Sequence, residues 1–308
     1  MTTFFYSHPA FFEHQTGAGH PESPFRLTAV ASALKRPEFA PLVHREAPRV
    51  ERDRLRLIHS EAQIRSVFDL VPDQGIVHLD PDTALSAGSA EAALRAVGAV
   101  CAAVDAVFAG QARNAFCGVR PPGHHATPET AMGFCLFNNV AVAAAYARRQ
   151  HGIQRVAIVD FDVHHGNGTQ AAFRANPEVL YASTHQHPWY PGTGSPGETG
   201  VGNLFNVGLP AGSGSMAFRD AMNGTILPAV DRFKPELLLV SAGFDAHRDD
   251  PLASLELDED DFSWITRELM GLAERHAGGR LVSALEGGYN LQALGNSVGA
   301  HVRALLGG

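Results

Sequence analysis

The segment Val156-Ala157-Ile158-Val159-Asp160-Phe161-Asp162-Val163-His164-His165-Gly166-Asn167-Gly168 decides the fold class. Its first residues form an unbroken apolar, β-branched run, as in a strand buried on both faces, and its second half passes into a loop of Gly, Asn and charged residues. Comparable short runs stand at 3–6, 115–119, 179–183, 204–207, 237–241 and 281–285. Amphipathic helical patterns fill the intervals at 26–35, 60–70, 89–108, 139–150, 216–233, 259–276 and 291–305. Strand and helix in alternation predict an α/β fold wound around a mainly parallel sheet. No composition break, fixed repeat or low-complexity tract divides the chain, so a single domain over residues 1–308 is expected, with long loops at 73–87 and 185–203.

The 308 residues are 45% apolar and 18% charged, which excludes a disordered or fibrous chain. With 24 Lys+Arg against 32 Asp+Glu the net charge is −8, so the basic field that carries non-specific nucleic-acid binding is missing and a cationic substrate is better tolerated. The purest apolar run, 96–104, falls far short of the ~18 residues of a membrane span, and no secretory leader is expected. Three cysteines without a CxxC pair fit a reducing cytoplasm better than a disulfide framework. The 16 histidines, several adjacent to one another or close to aspartates, point to metal or proton chemistry.

Ligands of open α/β sheets bind beyond the carboxyl ends of strands, which is where Asp162 and His164 fall. Spaced by two in an extended segment, they share a side and can reach one ion, with Asp160 facing the same way a step below. Asp245, just past the 237–241 run, adds a second carboxylate. Three such ligands leave a fourth position open, as in a catalytic rather than a structural zinc site. Read alone, the segment is equally explained by Asp162 and His164 capping the next turn. Other strand ends shift that balance. The run 115–119 leads through Arg120-Pro121-Pro122-Gly123 into the tandem His124-His125, which can supply a base and an electrostatic partner. The run 281–285 leads into Glu286-Gly287-Gly288-Tyr289, where two glycines free the backbone to swing a phenol towards a substrate. Together these segments predict metal-assisted amide hydrolysis. The metal polarises a carbonyl and lowers the pKa of its water towards ~7, a histidine takes the proton, and Tyr289 donates to the oxyanion.

In this order, RPPGHH at 120–125, GFCLFNN at 133–139, DFDVHHGNGT at 160–169, SAGFDAHRDDPL at 241–252 and EGGYN at 286–290 resemble the histone deacetylase and acetylpolyamine amidohydrolase superfamily. HHGNGT and the FDA-to-DPL spacing resemble its class II branch and bacterial relatives. The resemblance implies the arginase/deacetylase fold, a central eight-stranded parallel sheet between helical layers, so the seven runs above are one short. It places one Zn²⁺ per chain on Asp162, His164 and Asp245, donors that Fe²⁺ also accepts. By the same resemblance His125, partnered by Asn167, is the general base and then the acid for the leaving amine. His124, paired with Asp160, contributes electrostatics, and Tyr289 stabilises the transition state. Class I relatives carry Asp where Asn167 stands, and a neutral amide raises the imidazole pKa less than a carboxylate would. A K⁺ is implied near Asp160, with Ser183 and the backbone carbonyls of Asp162, His164 and Thr184. Substrate-binding positions fall on Gly133, whose carbonyl would accept from the scissile amide, on Phe134 and Tyr190 as tunnel walls, and on Leu252 at the rim.

The implied activity is removal of acetyl or other acyl groups from acylated lysine side chains or related amines, with neither nucleic acid nor membrane as partner. Acetylpolyamine hydrolysis is the alternative, although one polyamine-selective branch carries Glu where Leu252 stands. An arginase-like ureohydrolase needs bridging carboxylates in slots held here by Gly166 and His247. A non-catalytic binding module for acyl-lysine or acetate would not need Tyr289, His124 and His125 together. Oligomeric state is left open, a homo-oligomer included. Among neighbouring residues, Cys135 reads as a small core filler, His165 and His247 as packing beside ligands, and His185 and His187 as lining of the mouth. His8, His14 and His20 read as entrance loop or exposed surface, and the acidic run 258–261 as a helix start favoured by the dipole.

Overall fold

The computed structural model describes residues 2–307. Its strands in chain order are β1 (Thr3–Ser7), β2 (Val43–Glu46), the small hairpin β3 (Val77–His78) and β4 (Ala84–Leu85), β5 (Asn114–Cys117), β6 (Val156–Asp160), β7 (Val179–Gln186), β8 (Leu204–Leu209), β9 (Leu237–Ala242) and β10 (Leu281–Leu285). Apart from the hairpin they form one eight-stranded sheet in the order β2-β1-β5-β10-β9-β6-β7-β8. Every pairing in it is parallel. All residues of β5, β6, β9 and β10 are buried, which is why these strands read as largely apolar runs. Helices α3 (Ser89–Phe108) and α4 (Asn139–His151) cover one face, and α8 (Glu259–Ala277) and α9 (Leu291–Leu305) the other, with α1 (Phe25–Ala33) laid on α9. Shorter helices α2 (Glu61–Phe68), α5 (Asn167–Phe173), α6 (Ser215–Ala221) and α7 (Leu227–Phe233) complete the layers.

The eighth strand is β2, a polar edge strand whose residues are half-buried or exposed. It pairs with β1 alone, so it carries no apolar run to read. The helical pattern 216–233 is divided by a π-helical turn over Met222–Ile226. The loop 73–87 contains the β3–β4 hairpin, and β7 runs on to Gln186, drawing His185 out of the predicted loop. Asp258 caps α8 in a reciprocal box with Asp261, which accounts for the acidic run there.

Four adjacent strands place the site. β5, β10, β9 and β6 lie side by side and parallel, so the segments leaving their carboxyl ends emerge together. Those segments carry His124 and His125, Tyr289, Asp245, and the Asp160 to Asn167 loop.

Candidate active site

Beyond β6 the chain descends in steps made of side-chain to backbone bonds. Asp160 Oδ1 accepts from the Asp162 N–H (3.1 Å), and Asp162 Oδ1 accepts from the His164 N–H (2.9 Å). The segment is a bend, not extended strand, so these bonds to the residue two ahead, rather than strand alternation, bring the side chains to one side. Asp245 is oriented by the Val163 N–H, which donates to its Oδ1 (2.9 Å). Asp162, His164 and Asp245 are all buried, and each offers a ligand atom within 4.8 Å of the other two.

His164 Nδ1 stands 3.1 Å from Asp162 Oδ1 and 3.2 Å from Asp245 Oδ2. Asp245 Oδ2 nonetheless makes no hydrogen bond and is an orphaned acceptor in the interior. A group of that kind is destabilising by about 1–3 kcal/mol unless something answers it. Burial opposes charge on His164, yet the two carboxylates push its pKa up to about 10. Burial and then the neighbouring Asp162 push Asp245 up to about 7. The cluster thus attracts a positive charge, and a divalent ion at these three donors would stand where the field otherwise holds a proton. The residues fit Zn²⁺ or a similar ion. Bare backbone closes the inner wall, because a Cβ on Gly287 would lie 1.9 Å from Asp245 Oδ2 and one on Gly243 2.1 Å from Asp162 Oδ2.

The tandem histidines are set by Glu286. Its Oε2 accepts from the N–H groups of Gly123 (2.7 Å) and His124 (3.2 Å), and its Oε1 from the Ser241 hydroxyl (3.1 Å). His124 Nδ1 meets Asp160 Oδ2 at 3.0 Å, an oxygen that also accepts from the Tyr181 hydroxyl (3.0 Å). Burial works against charge on His124, but Asp162, Asp160 and Glu286 together hold its pKa well above the ordinary value. His125 Nδ1 lies 2.8 Å from Asn167 Oδ1. An amide oxygen can only accept, so Nδ1 carries the proton and Nε2 is left with a free lone pair. Burial, then the charges of His124 and His164, hold the His125 pKa well below the ordinary value. Two touching imidazoles, with centroids 4.0 Å apart, are driven in opposite directions by their surroundings.

The Tyr289 ring packs edge-on against Phe134 (5.8 Å) and under the Arg26 guanidinium (4.9 Å). Burial pushes its phenol pKa well up. Tyr190 stands over His125 (5.1 Å) and His164 (6.1 Å), and Phe134 rests on His20 (4.8 Å). The Gly133 carbonyl accepts from the Cys135 thiol (3.3 Å), and the half-buried Leu252 offers its carbonyl to Trp189 Nε1 (3.1 Å). Asp160 and Ser183 are register partners on β6 and β7, both fully buried, with Thr184 next along β7. His165 is engaged by Thr193 and Gln170, and His247 faces Glu259, so neither joins the ligand group. Of the three N-terminal histidines only His20 reaches Phe134. His14 is buried against Ser89, and His8 pairs with Glu46.

Sequence reasoning missed a second charged cluster behind Tyr289. Arg120 grips Glu22 with Nε on Oε1 (2.5 Å) and Nη2 on Oε2 (2.7 Å), and Arg26 Nη1 also reaches Oε1 (3.1 Å). Arg26 further donates to the carbonyls of Gly288 (2.6 Å) and Glu286. The four-residue spacing of Glu22 and Arg26 was the available signal, but such pairs are ordinarily solvent-exposed. Glu286 and Asp250 sit inside quoted motifs, yet nothing in their spacing shows what they hold.

The bridging carboxylate that a binuclear site would take from position 166 cannot fit, since any side chain there would begin 2.3 Å from Asp160 Oδ2. Residues 20–305 match the histone deacetylase domain. The chain belongs to the histone deacetylase family. Within that family it is 40% identical over 311 residues to histone deacetylase 14, chloroplastic, of Arabidopsis thaliana, covering 94% of this chain and 73% of the relative. It is 44% identical over 279 residues to the histone deacetylase-like amidohydrolase of Pseudomonas aeruginosa, covering 89% and 73%. The solved HDA15 HD domain superposes with a TM-score of 0.92 at 36% identity, covering 99% of this chain and 88% of that one. Membership in the histone deacetylase family makes the chain a hydrolase of the deacetylase and amidohydrolase kind. No helix among the described residues is long and apolar enough to cross a membrane.

Proposed function

We propose that the chain, as one catalytic domain over residues 1–308, is a metal-dependent amidohydrolase that removes acetyl or other acyl groups from acylated lysine side chains or related amines. The observation that carries this reading is the orphaned Asp245 Oδ2 at a buried Asp-His-Asp group, beside an imidazole whose Nε2 is free to act as a base. Asp162, His164 and Asp245 would hold one Zn²⁺ or Fe²⁺. Such an ion, when bound, polarises the amide carbonyl and acidifies the attacking water. His125 Nε2 takes the proton from that water and returns it to the leaving amine, while Asn167 keeps the ring in the Nδ1–H tautomer. His124, with its elevated pKa, supplies positive charge next to Asp160. Tyr289, kept protonated by burial, donates to the carbonyl oxygen as negative charge builds on it. Phe134 and Tyr190 serve as walls for the acyl chain, the Gly133 carbonyl as acceptor for the scissile N–H, and Leu252 as rim. Asp160, Ser183 and the carbonyls of Asp162, His164 and Thr184 would hold K⁺. Three free, buried cysteines suit a reducing compartment such as the cytoplasm.

A net charge of −8 favours cationic acylated amines, so acetylpolyamines are the second reading. Apolar Leu252 at the rim favours acyl-lysine over them. The test is a release assay on metal-loaded protein with acetyl-lysine peptide, longer acyl-lysine peptides and acetylspermidine side by side. Turnover led by an acyl-lysine and abolished by a hydroxamate chelator is expected. Acetylspermidine far ahead would install the second reading. One bound ion with no turnover on any substrate would leave a binding module.

A further inference from the structure

Tyr289 follows Gly287-Gly288, a pair that imposes almost no conformational preference of its own, so the phenol must be located by contacts from outside the segment. Arg26 takes the carbonyls of Gly288 and Glu286. A second contact comes from Asp250, only 7% exposed and so far without a role. Its Oδ2 accepts from the backbone N–H groups of Tyr289 (2.6 Å) and Asn290 (3.2 Å). Its Oδ1 accepts from the Leu252 N–H (3.0 Å), and the Leu252 carbonyl in turn takes Trp189 Nε1 (3.1 Å). A single carboxylate therefore ties the backbone of the tyrosine to the rim segment and, through it, to the loop that carries Tyr190.

We propose that Asp250 is a positioning residue: its two oxygens fix the Tyr289 phenol relative to the rim of the acyl site. An Asn at 250 has one acceptor oxygen, so it can serve either Leu252 or the Tyr289 and Asn290 pair but not both, and its NH₂ would confront the remaining N–H. A displacement of order 1 Å at a reacting group lowers rate by about 100-fold, which sets the scale of the effect.

The inference rests on the proposed hydrolysis for its kinetic arm and stands apart from it in a spectroscopic one. In the spectroscopic arm, 3-fluorotyrosine is placed at position 289 and its ¹⁹F resonance is compared in the wild type, Asp250→Asn and Asp250→Glu. A shifted or divided resonance in the variants, at retained folding, is expected, and an unchanged one overturns the assignment. In the kinetic arm, Asp250→Asn should lower kcat about 10- to 100-fold with KM within about threefold. In a Tyr289→Phe background the same substitution should change kcat by less than about twofold, because residues acting through one group are not additive. Equal losses in both backgrounds would show that Asp250 does not act through the phenol. Loss of folding in both Asp250 variants would likewise overturn the assignment, in favour of a purely structural carboxylate. A wild type inactive on every acylated amine would sink the hydrolase reading alone, and the ¹⁹F comparison would still decide the role of Asp250.

Discussion

Two buried charge clusters both bond to the 286–289 segment, and they are balanced in different ways. Behind it Glu22 is outnumbered by Arg26 and Arg120, and every guanidinium nitrogen of the two arginines donates to a carboxylate or carbonyl. In front of it Asp160, Asp162, Asp245 and Glu286 face His124 and His164, and one carboxylate oxygen finds no hydrogen bond. The rear cluster is complete as folded. The front one keeps an unanswered acceptor at three donors that could hold a metal ion, and that asymmetry is what marks it as the candidate site.

The largest expected effect breaks the front cluster. Asp245→Asn removes one donor and one negative charge, so bound metal should fall from one ion per chain to near zero and deacylation should vanish, with folding retained. Elemental analysis beside calorimetry checks this, and a variant that still holds one tight ion would show that the front cluster is not the site. Next comes the rear. Glu22→Gln leaves two buried guanidiniums without their counter-charge, a change that lowers stability by about 3–5 kcal/mol in comparable pairs. Denaturant unfolding should show that loss while metal content stays at one ion, and the opposite pattern would reverse the assignments of the two clusters.

The smallest effect separates, by pH, Glu22 from its neighbour His14, whose Nε2 lies 3.6 Å from Glu22 Oε2. Burial lowers His14 to about 4, against the pull of Glu22. Its folded value lies below the unfolded one, so its contribution is whole above about pH 6.5 and is lost as pH falls towards 4. Burial would raise Glu22, but Arg120 and then Arg26 hold it at about 2, so its contribution is lost only between about 4.5 and 2. Of this pair, at pH 5 only the histidine should have weakened the fold, by about 2 kcal/mol. His14→Gln should flatten the fall in unfolding midpoint between pH 7 and pH 5, and an unchanged slope would remove His14 from that account.

Legibility in the sequence followed apolar continuity and short-range spacing. The inner strands were readable because they are buried on both faces, and α3 and α9 because their apolar stripes repeat cleanly over 20 and 15 residues. The edge strand β2, Val43-His44-Arg45-Glu46, has no buried face to leave a pattern. Helix α5 begins within Gly166-Asn167-Gly168, where propensity argues for a turn and tertiary contacts decide otherwise. The Asp162, His164 and Asp245 grouping was approachable because each follows a recognisable strand. Glu22 and Arg120 meet across 98 positions and Asp250 and Tyr289 across 39, and no local periodicity encodes such meetings.

The bare backbone behind the two aspartates also governs how this pocket can diversify. At Gly243 and Gly287 even the smallest side chain would collide with a carboxylate, so mutation has no foothold on the inner wall. On the proposed reading, variation in what the pocket accepts enters from the outer side, through half-exposed positions such as Trp189, Tyr190 and Leu252. A library meant to retarget the enzyme to longer or bulkier acyl groups therefore belongs at those positions, where diversity leaves the inner lining unchanged.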